Sequence, residues 1–180
     1  MPMEPLDAQT DPGPGAIYAG FSASEVHSAL KKAFESVPFA VGMNNHMGSK
    51  VTSDLRSMRM IFESIYGNEP GLLLKGQRPI FLDSRTTAKS VVATVASEQG
   101  VFFLERDTFL DNDDERASIL AAIDEAVGLS SKRGYAVMIG HVWSQELAGI
   151  VAEIYPQLVN KGFRLGTLSE LAEMIAAGEE

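Results

Sequence analysis

Pro79-Ile80-Phe81-Leu82-Asp83-Ser84-Arg85-Thr86 decides how this chain folds. A short apolar run passes directly into a carboxylate, a hydroxyl and a guanidinium. Such a run suits a strand covered on both faces, as in a parallel sheet, so residues 79–82 are read as a strand that ends at Asp83. The same figure recurs on either side. Phe39–Met43 is an apolar run followed by Asn44-Asn45-His46; Val101–Leu104 runs into Glu105-Arg106-Asp107; Tyr135–Ile139 runs into Gly140-His141; Phe163–Leu165 reads as a last strand.

Helical spacing fills the intervals. Ser22 and Glu25 form a capping-box pattern, after which Val26, Leu30, Ala33, Phe34 and Val37 recur on one face and predict a helix over 23–36. Residues 52–66 are helical, with Leu55, Met58, Ile61, Phe62 and Ile65 on one face. Further helices are expected over 87–99 and 115–131, from a cap at Ser144 to about 160, and from the Thr167–Glu170 capping box onward. Strand and helix thus alternate about five times, which argues α/β with right-handed crossovers. The polar clusters all fall at C-terminal strand ends, where such folds build their sites. Residues 1–20 differ: four prolines and three glycines make an irregular segment that only packing can order. The chain is read as one domain over 1–180, with the alternating part at 21–177.

Composition narrows the function. With 180 residues, 45% apolar and 22% charged, the chain can bury a core and is not a disordered segment. Its net charge of −9, from 24 acids against 15 bases, makes a duplex-binding role a poor fit, because phosphate neutralisation supplies most of such affinity. The basic pairs Lys31-Lys32 and Lys132-Arg133 read as solvated helix faces. No nucleic acid partner is expected. Nor is a membrane span, since no apolar run approaches the roughly 18 residues required. Cysteine is absent, which removes thiolate catalysis and thiolate metal sites. The first residues lack the pattern of a signal peptide.

Several motifs fail on inspection. Position 85 is Arg, where a haloacid-dehalogenase phosphatase needs its second Asp. Residues 111–115 lack the glycine and closing glutamate of an EF-hand. Gly13-Pro14-Gly15 lacks the Lys-Ser/Thr ending of a phosphate loop, and there is no Gly-x-Ser-x-Gly elbow.

What stays are the strand ends. His46 and His141 each follow a strand directly; each is read either as a metal ligand, since imidazole is a common zinc donor, or as an ordinary hydrogen-bonded histidine. His27 lies in a helix and carries no claim. Asp83 could ligate a metal, orient a histidine or act as a base, and Arg85 could hold a carboxylate or an oxyanion; a buried ion pair or a helix cap is the plainer reading of both.

Taken in order, Met3-Glu4-Pro5-Leu6 with Asp11-Pro12-Gly13-Pro14-Gly15, then Asn44-Asn45-His46-Met47-Gly48-Ser49, Phe81–Thr86, Arg106-Asp107 with Phe109–Asn112, and Ile139-Gly140-His141, resemble the divergent polysaccharide deacetylase family, also called YibQ-like. The likeness runs to about Leu171. It implies a parallel-stranded, distorted (β/α) barrel of the polysaccharide deacetylase type, and a metal-dependent hydrolase that removes acetyl groups from N-acetylated polysaccharide or oligosaccharide. On that resemblance His46 and His141 are the metal ligands, with zinc the expected divalent metal. Asp83 and Arg85 are the catalytic residues, and Glu4, Asn45 and Asp111 the substrate-binding ones. The family's Asp-Asp-x-Gly strand has no counterpart here, and Asn45 stands where better-studied relatives carry a second histidine. An N-terminally incomplete barrel, self-association through an exposed sheet edge, and a non-catalytic carbohydrate-binding or envelope role are therefore expectations as well. The resemblance also suggests a periplasmic or exported location.

Overall fold

Every strand pair in the described structure is parallel. The computed structural model describes residues 1–67 and 79–178. In chain order its elements are β1 (Pro2–Met3), α1 (Ala23–Ser36), β2 (Gly42–Asn44), β3 (His46–Met47), α2 (Leu55–Tyr66), β4 (Ile80–Asp83), α3 (Val92–Gln99), β5 (Phe103–Glu105), β6 (Thr108–Phe109), α4 (Arg116–Arg133), β7 (Met138–Ile139), α5 (Gln145–Asn160) and α6 (Leu168–Ala177). The strands pair as β1-β3, β2-β4-β5 and β6-β7. No described helix is long and apolar enough to cross a membrane. The chain gathers into two compact units, Met1–Glu105 and Arg106–Glu180.

In the first unit, α2 turns Met58, Ile61, Phe62 and Ile65 inward, all fully or almost fully buried. Phe62 meets Phe81 of β4 with ring centroids 5.2 Å apart. Val26, Leu30 and Phe34 of α1 join the same core. Side chains buried this completely stabilise by about 1.5–3 kcal/mol each relative to exposure. Gly42 lets β2 lie close to β4, because a Cβ there would run into the Ile80 carbonyl. The irregular first residues are ordered by the same burial: Met3 and Ile17 have no exposed surface, and Glu4 N–H donates to the Ile17 carbonyl at 2.8 Å. The second unit has its own core, in which Leu110, Ile119, Ile123, Leu147 and Ile150 meet.

Several sequence expectations are corrected. Phe163–Leu165 is not a strand. Phe163 N–H closes the end of α5 onto the Leu158 carbonyl, and Thr167 already caps α6, so too little chain is left between the caps to pair. The helix expected from 87 begins at Val92, because Ser90 is tied to Asp83 and Val91 N–H to the Thr52 carbonyl. The helix expected from 52 begins at Leu55, after an Asp54 cap. Val37 is the C-cap of α1 and is exposed rather than on its buried face.

Candidate functional site

In the second unit, register builds the site. Phe109 of β6 pairs with Ile139 of β7. Two residues beyond that pair, Asp111 and His141 stand side by side. The Asp111 carboxylate accepts the His141 backbone N–H at 2.5 Å and faces Nδ1 at 3.0 and 3.1 Å. Its side chain is 2% exposed against 29% for the imidazole. An ionised carboxylate can only accept, so it holds the proton on Nδ1 and makes Nε2 the basic nitrogen. The imidazole also lies in a stack. The Arg106 guanidinium sits 3.9 Å over the Phe109 ring. Phe109 and His141 centroids are 5.9 Å apart at 22°, and those of His141 and Trp143 4.5 Å apart at 16°.

Asp107 anchors the entrance to β6. It accepts Val137 N–H at 2.7 Å and pairs with Arg133, whose guanidinium lies 4.2 Å over Tyr135. Arg133 is thus engaged at the end of α4 while it stays exposed, as read from the sequence.

The first unit gathers its polar groups at the C-terminal end of β2-β4-β5. Asn45 is wholly buried; its Oδ1 accepts Ser84 N–H at 2.8 Å and its Nδ2 donates to the Met47 carbonyl at 2.9 Å. Thr86 Oγ1 donates to the same carbonyl. Asp83 is also fully buried, accepting Arg85 N–H at 2.8 Å and the Ser90 hydroxyl at 2.6 Å. Arg85 reaches Glu105 at 3.3 Å. Met47 and Arg85 have φ of 55° and 50°, and among the described residues they are the non-glycine residues in the left-handed region. Gly48, at φ 85°, packs onto Met3, where a Cβ would stand 2.8 Å from the Met3 Cβ.

His46 lies in β3, opposite Pro2. Glu4 forms an ion pair with Lys50 at 2.6 Å and accepts Ala19 N–H at 2.9 Å. The Lys50 hydrogen bond, aided by Ala19 N–H and the Lys50 charge, holds the Glu4 carboxyl below its ordinary range against a smaller opposing effect of burial.

The structure therefore brings Asp111 to His141, and Asn45, Asp83 and Arg85 to one end of a sheet. Among the described residues, no three His, Asp or Glu side chains come together as a metal site requires, and both Asp83 oxygens are already engaged. These residues do not by themselves make a metal site. Sequence reasoning missed the roles of Trp143, Phe109 and Arg106. The available signal was the position of the sole tryptophan, two residues past a strand-end histidine.

Comparison with known proteins then decides the family. Residues 1–172 match the divergent polysaccharide deacetylase family. The chain belongs to this family. An uncharacterized protein of Haemophilus influenzae is 38% identical over 141 residues, 78% of this chain and 47% of its own length. The uncharacterized protein YibQ of Escherichia coli is 32% identical over 141 residues, 78% of this chain and 41% of its own. The chain thus spans about half the length of these curated relatives. The crystal structure of an uncharacterized protein from Agrobacterium tumefaciens C58 superimposes with a TM-score of 0.81 at 20% identity, covering 95% of this chain and 66% of that one. This likeness confirms the expected α/β fold of the deacetylase type.

Proposed function

We propose that this chain works on carbohydrate as a hydrolase removing acetyl groups from N-acetylated polysaccharide, with Asp111 and His141 as its acid–base pair. The observation that carries the reading is the pairing of a buried carboxylate with a half-buried imidazole at strand ends. Amide hydrolysis adds water to the acetyl carbonyl, breaks the C–N bond, protonates the departing amine and releases acetate. His141 Nε2 is the group to take the proton from water and return one to the amine, while Asp111 fixes the ring. In the first unit, Arg85 is carried as a catalytic residue on the family resemblance. Asp83 fixes its loop, Asn45 secures the backbone beside His46, and Glu4 holds Lys50 and the Ala19 backbone.

The family resemblance instead names His46 and His141 each as a donor to a divalent metal, zinc; a His141 that bound metal through Nε2 would not be the acid–base group. The periplasmic or exported location is carried the same way, with fractionation of cells as its test. A second reading, carbohydrate binding without catalysis, is favoured by the lack of a three-donor cluster among the described residues.

Acetate release from N-acetylated chitooligosaccharide, assayed with zinc present, separates the two. The hydrolase reading expects release that falls about a hundredfold or more in Asp111→Asn and His141→Ala. Retention of the glycan with no acetate released would overturn it in favour of binding.

A further inference from the structure

We infer that Trp143 is a stacking subsite for a pyranose ring, built against His141 and stiffened by Phe109 and Arg106. The inference rests on the carbohydrate reading above and adds to it a binding residue and the part of the substrate it takes.

The first observation is apolar surface where a soluble chain would hide it. Trp143 is 65% exposed and the adjacent Val142 is fully exposed. Contiguous exposed apolar groups at the rim of a polar cluster mark interaction sites more often than decoration. The second is that this indole is held in place. One face lies on the imidazole, the imidazole on Phe109, and Phe109 beneath the Arg106 guanidinium. Asp111 holds the imidazole through Nδ1 and the His141 backbone through its N–H. Behind the indole, Ser144 N–H donates to the His141 carbonyl at 3.2 Å, and Ser144 caps α5. An exposed ring fixed from both sides of the chain loses little entropy when a ligand docks, which is what preorganisation contributes to affinity.

The chemistry of the surface selects the ligand. A pyranose has a flat face of C–H groups ringed by hydroxyl and amide substituents. That face matches an indole, and the substituents match the imidazole and carboxylate at its edge. A nucleobase would also stack, but single-stranded nucleic acid needs a cationic groove, and this chain carries a net charge of −9. The same charge opposes an anionic lipid surface.

Because Trp143 is the sole tryptophan, the fluorescence of the full chain reports on this subsite directly. Titration with the tetrasaccharide of N-acetylglucosamine is expected to shift its emission to the blue and protect it from acrylamide quenching, saturably. Electrophoresis through glycol chitin is expected to retard the wild-type chain, Trp143→Phe nearly as much, and Trp143→Ala with roughly tenfold weaker apparent affinity. Phe39→Ala, which removes another exposed aromatic in the first unit, should run as wild type. Unchanged emission at saturating tetrasaccharide, full retardation of Trp143→Ala, or a shift with anionic vesicles in place of the sugar would each overturn the subsite. These readouts are binding equilibria, so they stand apart from catalysis. Binding without acetate release sinks the hydrolase reading and keeps the subsite. Acetate release with unaltered KM in Trp143→Ala does the reverse.

Discussion

At the scale of single residues, the first unit's loops are shaped by one amide. Asn45 fastens the backbone of Ser84 to that of Met47 from a fully buried position. Next to its two partners, Met47 and Arg85 hold left-handed backbone, a conformation costing about 1–3 kcal/mol for a residue with a Cβ. The fastener offsets that cost. Asn45→Ala takes the acceptor from the buried Ser84 N–H, while the Met47 carbonyl keeps the Thr86 hydroxyl, so a loss of about 1–3 kcal/mol is expected in urea unfolding. Arg85→Gly tests the strain from the other side. Glycine tolerates this backbone, and the Arg85–Glu105 pair is surface-exposed and worth little. Unfolding free energy should be unchanged or higher by up to about 1 kcal/mol, while acetate release falls. If Arg85→Gly proves as unstable as Asn45→Ala, the left-handed turn is not strained and the case for its being kept for function goes with it.

Among elements, α6 shows what a cap does where little else holds a helix. None of its residues is buried. Thr167 Oγ1 accepts Glu170 N–H, and the Glu170 carboxylate accepts Thr167 N–H at 2.7 Å and its hydroxyl at 3.0 Å. The Thr167 backbone and hydroxyl bonds, then the Arg164 charge, hold the Glu170 carboxyl below its ordinary value. A carboxyl lowered on folding contributes in full above its unfolded pKa and is lost as pH falls through the folded one. Amide exchange across 168–177 should therefore accelerate as pH drops below the ordinary carboxylate range, after correction for intrinsic rates. Glu170→Gln should remove that step, and Thr167→Ala should cost the helix about 1 kcal/mol at neutral pH. A pH step that persists in Glu170→Gln would disprove the cap's role. Such boxes are legible in sequence because they are local: Ser22–Glu25 and Thr167–Glu170 set α1 and α6 to the residue. Two-residue strands such as β1, β3 and β6 carry no period to detect. Phe163–Leu165 had the right composition but was consumed by two caps. The Asp111–His141 contact depends on the register between β6 and β7, about thirty residues apart, which no local pattern specifies.

For the whole molecule, the family was legible because the strand-end motifs occur in order along the chain, and the fold is shared with a solved protein at 20% identity. Metal chemistry was the less secure inheritance. Two histidines and an aspartate at strand ends look like donors in one dimension. In three dimensions, both oxygens of Asp83 are occupied by its own loop, Asp111 turns to the Nδ1 side of His141, and among the described residues no third donor joins any pair. A catalytic zinc ordinarily takes three protein ligands and keeps one open position, so a donor set short of three should bind it only weakly. After exposure to zinc and desalting, the purified 180-residue chain is expected to retain well below one equivalent by elemental analysis. His141→Ala should change that ratio little, yet lower any acetate release through loss of the acid–base group. A full equivalent that disappears in both His46→Ala and His141→Ala would show instead that the two histidines share a site, and would return His141 from proton transfer to metal binding. Because the curated relatives are about twice as long, the same titration on one of them separates a family trait from a property of this chain.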